Sequence, residues 1–113
     1  MSKNSILLDQ AIEFASKAIQ LKNSLTNGSA IAIADELARY ACLTGEFVAV
    51  AAVDEFAIDS LKSALQNVLK AEYRLKLLLA ANYLQDGEES RALNFACLDL
   101  KKKLLSALEI QTK

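Results

Sequence analysis

The chain has 113 residues, of which 53% are hydrophobic and only 6% aromatic, and its formal net charge is −1. It contains no histidine, no proline and no tryptophan. This composition excludes catalytic triads and carboxylate–histidine di-iron sites, which need imidazole, and the scarcity of glycine and proline argues against a β-sandwich or β-barrel. We therefore expect one all-α domain over residues 1–113, without enzymatic activity and without a cofactor.

The first helix is predicted from about Ser5 to Leu25, because apolar residues recur there every three or four positions. The following segment, Thr26–Ser29, is predicted to end this helix. Gly28 would take the left-handed conformation there, and Ser29 would cap the next helix. The apolar stripe consists of Leu7, Ala11, Phe14, Ala18, Leu21 and Leu25.

The second helix is predicted from about Ala30 to Ala52, with one interruption at Gly45. A single glycine inside a helix costs about 1 kcal/mol relative to alanine, and the apolar pattern stays in phase on both sides of it. We interpret this segment as one kinked helix, and a pair of helices broken at Gly45 is the alternative.

The remaining pattern predicts two more helices. Asp54 is the predicted N-cap of the third helix, which extends to Leu84, and Asp86–Gly87 is a turn signal. The fourth helix is predicted from about Glu88 to Ile110. Since all three connections are short, sequence neighbours should be antiparallel, which predicts an up-down-up-down four-helix bundle.

One acidic residue, Glu72, interrupts the apolar stripe of the third helix. Burying a carboxylate is costly unless it has a partner of opposite charge. Arg39 is the one basic residue of the predicted second helix, so a buried ion pair between Arg39 and Glu72 is expected to fix the helix register. A polar functional site inside the bundle and a rotated, solvent-exposed Glu72 are the alternatives.

The end of the second helix is predicted to be an oligomer interface, because its apolar residues face more than one direction. Residues 1–59 carry a net charge of −4 and residues 60–113 a net charge of +3, which favours a head-to-tail contact and a homo-oligomer larger than a dimer. Burial of this stretch inside its own bundle is the alternative. The interface residues are Phe47, Val48, Val50 and Val53.

Basic residues of the third and fourth helices are candidates for phosphate contacts. Three of them lie near one stripe of the third helix, whereas three consecutive lysines fan around the fourth. A purely solubilising role is the alternative. The candidates are Lys62, Lys70, Arg74, Lys101, Lys102 and Lys103.

The two cysteines, Cys42 and Cys97, both lie among apolar residues, as buried free thiols do. They favour a reducing, cytoplasmic location. The longest strongly apolar run, Ala41–Val53, contains Glu46 and is shorter than the roughly 20 residues that a membrane span requires. No membrane association is therefore expected.

Three segments carry a family resemblance: Ala11–Ala18, Leu37–Ala41, and Glu72 followed by Asn82–Asp86. In this order they resemble the small bacterial four-helix-bundle proteins that are encoded within intervening sequences of large-subunit ribosomal RNA genes. The accessory proteins of diversity-generating retroelements belong to the same broader group. The resemblance implies a ring-like homo-oligomer, such as a pentamer, that binds nucleic acid or a nucleic-acid enzyme. Gly45 stands where that family typically has proline.

Together these features predict a cytoplasmic, non-catalytic four-helix bundle that self-associates and acts as a binding or accessory module. The first alternative is a nucleic-acid-associated accessory protein, with RNA, DNA or a reverse transcriptase as its partner. The second alternative is a small-molecule binder with an apolar pocket inside the bundle.

Overall fold

The protein is described by a computed structural model over residues 3–54, 57–85 and 87–112. These residues form four α-helices and no β-strand, so the predicted all-α fold is confirmed. The helices are α1 (Lys3–Ser24), α2 (Gly28–Val53), α3 (Ile58–Ala80) and α4 (Glu88–Thr112).

The four helices form a square in cross-section. α1 and α3 each pack against both α2 and α4, and in the described ranges the backbones of diagonally opposite helices do not approach each other closely. The bundle measures 44 × 22 × 21 Å, and a helix of the 25 residues of α4 is about 38 Å long, so the helices run along the long axis. Each connection therefore reverses the chain. Over the same ranges, no helix is both long and apolar enough to cross a membrane.

The core consists mainly of leucine and alanine side chains. Phe14 is the one fully buried aromatic ring among the residues described. Small side chains along α1 and α2 allow these two helices to approach closely. At Gly45 of α2, an added Cβ would lie 3.9 Å from the Cβ of Ala11 on α1.

Gly45 does not divide the second helix. α2 is continuous from Gly28 to Val53, so the alternative of two broken helices is wrong. The side chains of Thr44 and Val48, on either side of the glycine, are both buried in the same core. The free energy gained by burying these two side chains exceeds the roughly 1 kcal/mol by which one glycine weakens a helix.

Gly45→Ala is expected to raise the free energy of unfolding by about 1 kcal/mol, because alanine favours the helix and its methyl group meets only ordinary van der Waals contact. Urea denaturation measures the change. Gly28→Ala is the control: at the first residue of α2, where a Cβ has no neighbour within 4 Å, it should change stability much less. Destabilisation by Gly45→Ala would contradict the spacing of α1 and α2.

The start of α2 differs from the prediction because an earlier residue caps it. The side-chain oxygen of Asn27 accepts hydrogen bonds from the backbone N–H groups of Ser29, at 2.9 Å, and of Ala30, at 3.1 Å. Ser29 is therefore inside the helix and is not its cap. Gly28 begins the helix with an ordinary negative φ, so the left-handed conformation predicted for it is wrong.

The predicted cap of α3 is also wrong. Asp54 ends α2 instead, since its backbone N–H donates to the carbonyl of Val50 at 3.1 Å. α3 begins at Ile58, and Ala57 occupies its N-cap position without a side-chain hydrogen bond. The apolar pattern located this helix, but it did not identify the residue at which the chain enters it.

α3 ends at Ala80, four residues earlier than predicted. Asn82 adopts the left-handed conformation with a φ of 62°. The N–H of Asn82 donates to the carbonyl of Leu79, and that of Tyr83 donates to the carbonyl of Leu78. This pair of hydrogen bonds is the Schellman motif, which terminates a helix while satisfying its last carbonyls.

Candidate functional site

Glu72 is buried in the bundle, with 7% of its surface exposed. Its partner is Lys101 on α4, whose Nζ lies 2.9 Å from Oε2 of Glu72. The lysine is itself only about one quarter exposed, so the pair is largely shielded from water. The ion pair joins α3 to α4 and satisfies a carboxylate that the core could not otherwise accommodate.

Arg39 does not pair with Glu72, so the predicted partner is wrong. Glu72 lies on the side of α3 that faces α4, whereas Arg39 lies on the exposed side of α2. There the charge of Arg39 acts on Asp35, one turn earlier on the same helix. The pKa of Asp35 is lowered mainly by its contact with Lys22 of α1, at 2.9 Å, and to a smaller extent by Arg39.

Lys101→Met should destabilise the protein by about 3 kcal/mol, because it leaves the Glu72 carboxylate buried without a cation. Glu72→Gln should cost less, about 1–2 kcal/mol, since the released Lys101 can extend to solvent. Chemical denaturation of both variants and of the double mutant gives the coupling energy. Arg39→Met is the control, and it should change stability by no more than about 0.5 kcal/mol. An effect at Arg39 as large as that at Lys101 would refute the assignment.

Cys97 lies next to this ion pair, one turn before Lys101 on α4, and is fully buried. Its burial away from water, and then the negative charge of Glu72, raise the pKa of the Cys97 thiol to about 12, against a smaller opposing effect of Lys101 and Lys76. At neutral pH the group is therefore a protonated thiol that packs as an apolar side chain. Cys42, on α2, is exposed.

Cys42 should react with a thiol reagent in the folded protein, and Cys97 only after unfolding, because the reactive species is the thiolate and the Cys97 thiolate forms only near pH 12. Absorbance with Ellman's reagent, with and without denaturant, counts the two groups. Cys42→Ser should abolish the fast reaction. Equal rates for both thiols in the folded state would contradict the buried position of Cys97.

The predicted interface on α2 divides into two halves in the structure. Val48 is fully buried in its own chain, and Phe47 is half-buried against the same core. Neither side chain is therefore a free contact surface. Val50 and Val53 are 52% and 88% exposed. Only these last two remain available for contact with another molecule.

Larger exposed apolar side chains lie on α1 and α4, where the sequence analysis did not place them. On α4, Phe95 is 70% exposed and Leu105 is about half exposed. On α1, Ile12 and Ile19 are similarly exposed. The position of Phe95 was readable from the sequence, because it falls two residues after Leu93 and thus outside the apolar seam of α4.

Arg74 is held in a cluster of rings and charges at the seam of α2 and α3. Its Nε lies 3.1 Å from Oε1 of Glu36, and its guanidinium lies 4.7 Å from the ring centroid of Tyr40 and 5.5 Å from that of Tyr73. The Nζ of Lys70 lies 5.5 Å from the same Tyr40 ring. These contacts hold the Arg74 side chain against the bundle, so its charge is used within the chain and its first role is structural.

The lysines of α4 do not form one basic surface. Lys101 binds Glu72, and Lys103 binds Asp99 at 3.0 Å. Asp99 also accepts a hydrogen bond from Gln10 of α1, so it lies on the α1 side of the helix. Lys102 is exposed. Two of the three candidates are therefore paired with carboxylates of their own chain.

The exposed cations that remain together lie on α3. Within the part of the chain that the structure describes, Lys62, Lys70 and Lys76 make no ion pair with a carboxylate. Lys76 was absent from the sequence-derived set, although its spacing from Lys62 and Tyr73 places it on the same side of the helix. Tyr73, between these cations, is 56% exposed.

A cavity of about 280 Å³ lies where the end of α1 meets the start of α4. Apolar surface, from Leu21, Leu93 and the stems of longer side chains, makes up the larger part of its lining, and Lys17, Gln20 and Glu89 add polar groups. It is a recess at the edge of the bundle and lies between the two helices rather than in the central core. Among the described residues no cluster of cysteine and carboxylate side chains is suited to a metal ion.

The structure is similar to the 1.70 Å crystal structure of a protein of unknown function from the S23 ribosomal protein family of Bacteroides thetaiotaomicron, with a TM-score of 0.83. The two sequences are 23% identical, and the match covers 96% of this chain and 99% of the other. This likeness extends over the whole bundle and shows a shared fold. The sequence matches no protein-family model and no curated protein.

Proposed function

We propose that this protein is a non-catalytic four-helix bundle that self-associates and serves as an accessory module. The observation that carries the proposal is Phe95, a large aromatic side chain that is 70% exposed on α4. Leu105 and Lys102 lie within about 80° of it around the helix. We call these three residues the α4 surface. Large apolar side chains exposed together on a charged protein usually mark an interface.

A second exposed apolar surface lies on α1. Ile12 and Ile19 are two turns apart on the outward side of this helix, and Asp9 is exposed about one turn before Ile12. We call these three residues the α1 surface. It is apolar and acidic, whereas the part of α4 between Phe95 and Leu105 is apolar and carries the exposed cation Lys102.

The complementary charges favour contact between the α1 surface of one copy and the α4 surface of the next. Such a contact joins two different surfaces, so it leaves one of each free at the ends of a dimer and continues until the rotation closes a ring. This supports a homo-oligomer larger than a dimer. The contact takes the place of the one predicted at residues 47–53, where Val48 lies inside its own chain.

The similarity to the S23 protein supports membership of the same group of small bacterial bundles, which we also propose. That protein is itself of unknown function, so it supports the fold and the family but not a particular partner. A cytoplasmic location belongs to the same proposal, and the two free cysteines support it.

Phe95→Ser should shift the protein toward monomer, because it removes the largest exposed apolar side chain from the contact. Light scattering after gel filtration, at micromolar concentration, gives the mass of each species. Val53→Ser is the matched control: Val53 is 88% exposed at the far end of α2, and its loss should leave the mass unchanged.

Two results would contradict the proposal. A monomer mass for the unaltered protein would remove self-association altogether. If Val53→Ser dissociates the oligomer and Phe95→Ser does not, the interface lies at the end of α2 and not on α4. A charge reversal, Lys102→Glu combined with Asp9→Lys, should restore an assembly that either change alone weakens, because it exchanges the signs across the proposed contact.

A further inference from the structure

The recess between the end of α1 and the start of α4 has an apolar floor. Leu93 of α4 is buried, and Leu21 of α1 is half-buried against the same core. Two small exposed residues, Ser24 and Ala92, also line the recess, and they leave the space above the leucines open. Its volume of about 280 Å³ is near the lower end of the range for small-molecule sites, about 300–1,000 Å³. The recess therefore suits a small ligand.

Charged side chains of opposite sign line different levels of the recess. α1 and α4 run antiparallel, and Gln10 of α1 donates to Asp99 of α4 at 2.8 Å. Counted from this contact, Lys17 is level with the second turn of α4, whereas Glu88 and Glu89 belong to its first turn. The two levels are about 5 Å apart along the bundle axis. A cation thus lies toward one end of the recess and two carboxylates lie toward the other.

These charges are largely unused by the chain itself. The Nζ of Lys17 lies 3.8 Å from a carboxylate oxygen of Glu13, which is longer than a hydrogen bond, and the Glu13 side chain is 63% exposed. Such an exposed pair within one helix contributes little. Glu88 and Glu89 are both exposed, and neither forms an ion pair with another described residue. All three groups are therefore available to a ligand.

We propose that the recess binds a free amino acid with an apolar side chain. The ligand carboxylate accepts from the Lys17 ammonium, the ligand ammonium donates to Glu88 or Glu89, and the ligand side chain lies on the leucine floor. The proposal does not depend on self-association, since one chain supplies every group.

The lining distinguishes this ligand from simpler ions. Two carboxylates repel an anion that has no ammonium group. An amine without a carboxylate leaves the Lys17 ammonium without a partner, and glycine leaves the apolar floor in contact with water. An amino acid with a branched aliphatic side chain satisfies all three parts of the lining at once.

Titration of the ¹⁵N-labelled protein with leucine, followed by ¹⁵N–¹H correlation spectra, tests the proposal. Chemical shift changes should be confined to residues 17–24 and 88–93, with a Kd on the order of 1 mM, as expected for a ligand of this size. Three comparison ligands each lack one part of leucine: 4-methylpentanoate lacks the ammonium, 3-methylbutylamine lacks the carboxylate, and glycine lacks the side chain. Each should bind more weakly than leucine.

The charged groups are tested by substitution. Glu88→Gln combined with Glu89→Gln should weaken leucine binding on the order of ten-fold, and Lys17→Met, which keeps the apolar stem, should do the same. Asp59→Asn is the matched control, because it also removes a carboxylate from the first turn of a helix, α3, and it should leave the affinity unchanged.

The space itself is tested by filling it. Ala92→Leu places a larger side chain in the recess and should abolish binding while α4 stays helical. Ala32→Leu is its control, because Ala32 is likewise exposed in a helix but lies on α2, away from the recess. Circular dichroism verifies the helices of each variant.

Three results would overturn the proposal. One is the absence of shift changes at 20 mM leucine. Another is binding of 4-methylpentanoate or 3-methylbutylamine as tightly as leucine, which would mean that the opposite charges are not used together. The last is leucine binding that survives both Ala92→Leu and the double glutamate variant, which would place the site elsewhere on the protein.

Discussion

The ion pair between Glu72 and Lys101 is the constraint that a carboxylate in the bundle core places on the packing of α3 against α4. A carboxylate in an aliphatic core requires a cation, and Lys101 supplies it from α4 at 2.9 Å. When Lys101 points toward α3, the helical period directs Cys97 and Leu104 into the core and directs Phe95 to the outside. The same contact conceals the one negative charge in the middle of α3. The buried pair thus agrees with the rotation of α4 that its apolar seam sets, and it leaves residues 60–80 of α3 without an exposed carboxylate.

The four helices were predictable because their apolar spacing is nearly continuous, and only Gly45 suggested a break. The ends of the helices were not predictable, since they depend on which polar residue forms a hydrogen bond with a free backbone group or turns the chain. Asn27 caps α2 in place of Ser29, and Asn82 turns the chain where the apolar pattern alone would continue. Both choices involve one or two hydrogen bonds, and periodicity carries no information about them.

The candidate site was only partly predictable, for a related reason. The position of Glu72 within an apolar stripe indicated a buried carboxylate, but the choice between Arg39 and Lys101 depends on the rotation of α3 relative to two neighbours. The basic residues show the same limit. Arg74 of α3 pairs with Glu36 of α2, and Lys103 pairs with Asp99 one turn earlier on α4. The 56% exposure of Tyr73 likewise depends on how α2 and α3 pack, so the sequence alone did not predict it.

The proposed assembly leaves part of each copy open because the bundle is square. α3 lies diagonally opposite α1, with no close backbone approach within the described residues, so contacts built from α1 and α4 leave the outer side of α3 open. In a closed ring every copy would present this side in an equivalent position. A partner held weakly by one copy would then meet the same surface in the next. Linked weak sites of this kind bind an extended partner far more tightly than any one of them, provided that the partner can span the distance between copies. Self-association would in this way turn a modest local affinity into a useful one, and this gives a physical reason for a small bundle without catalytic groups to form an assembly.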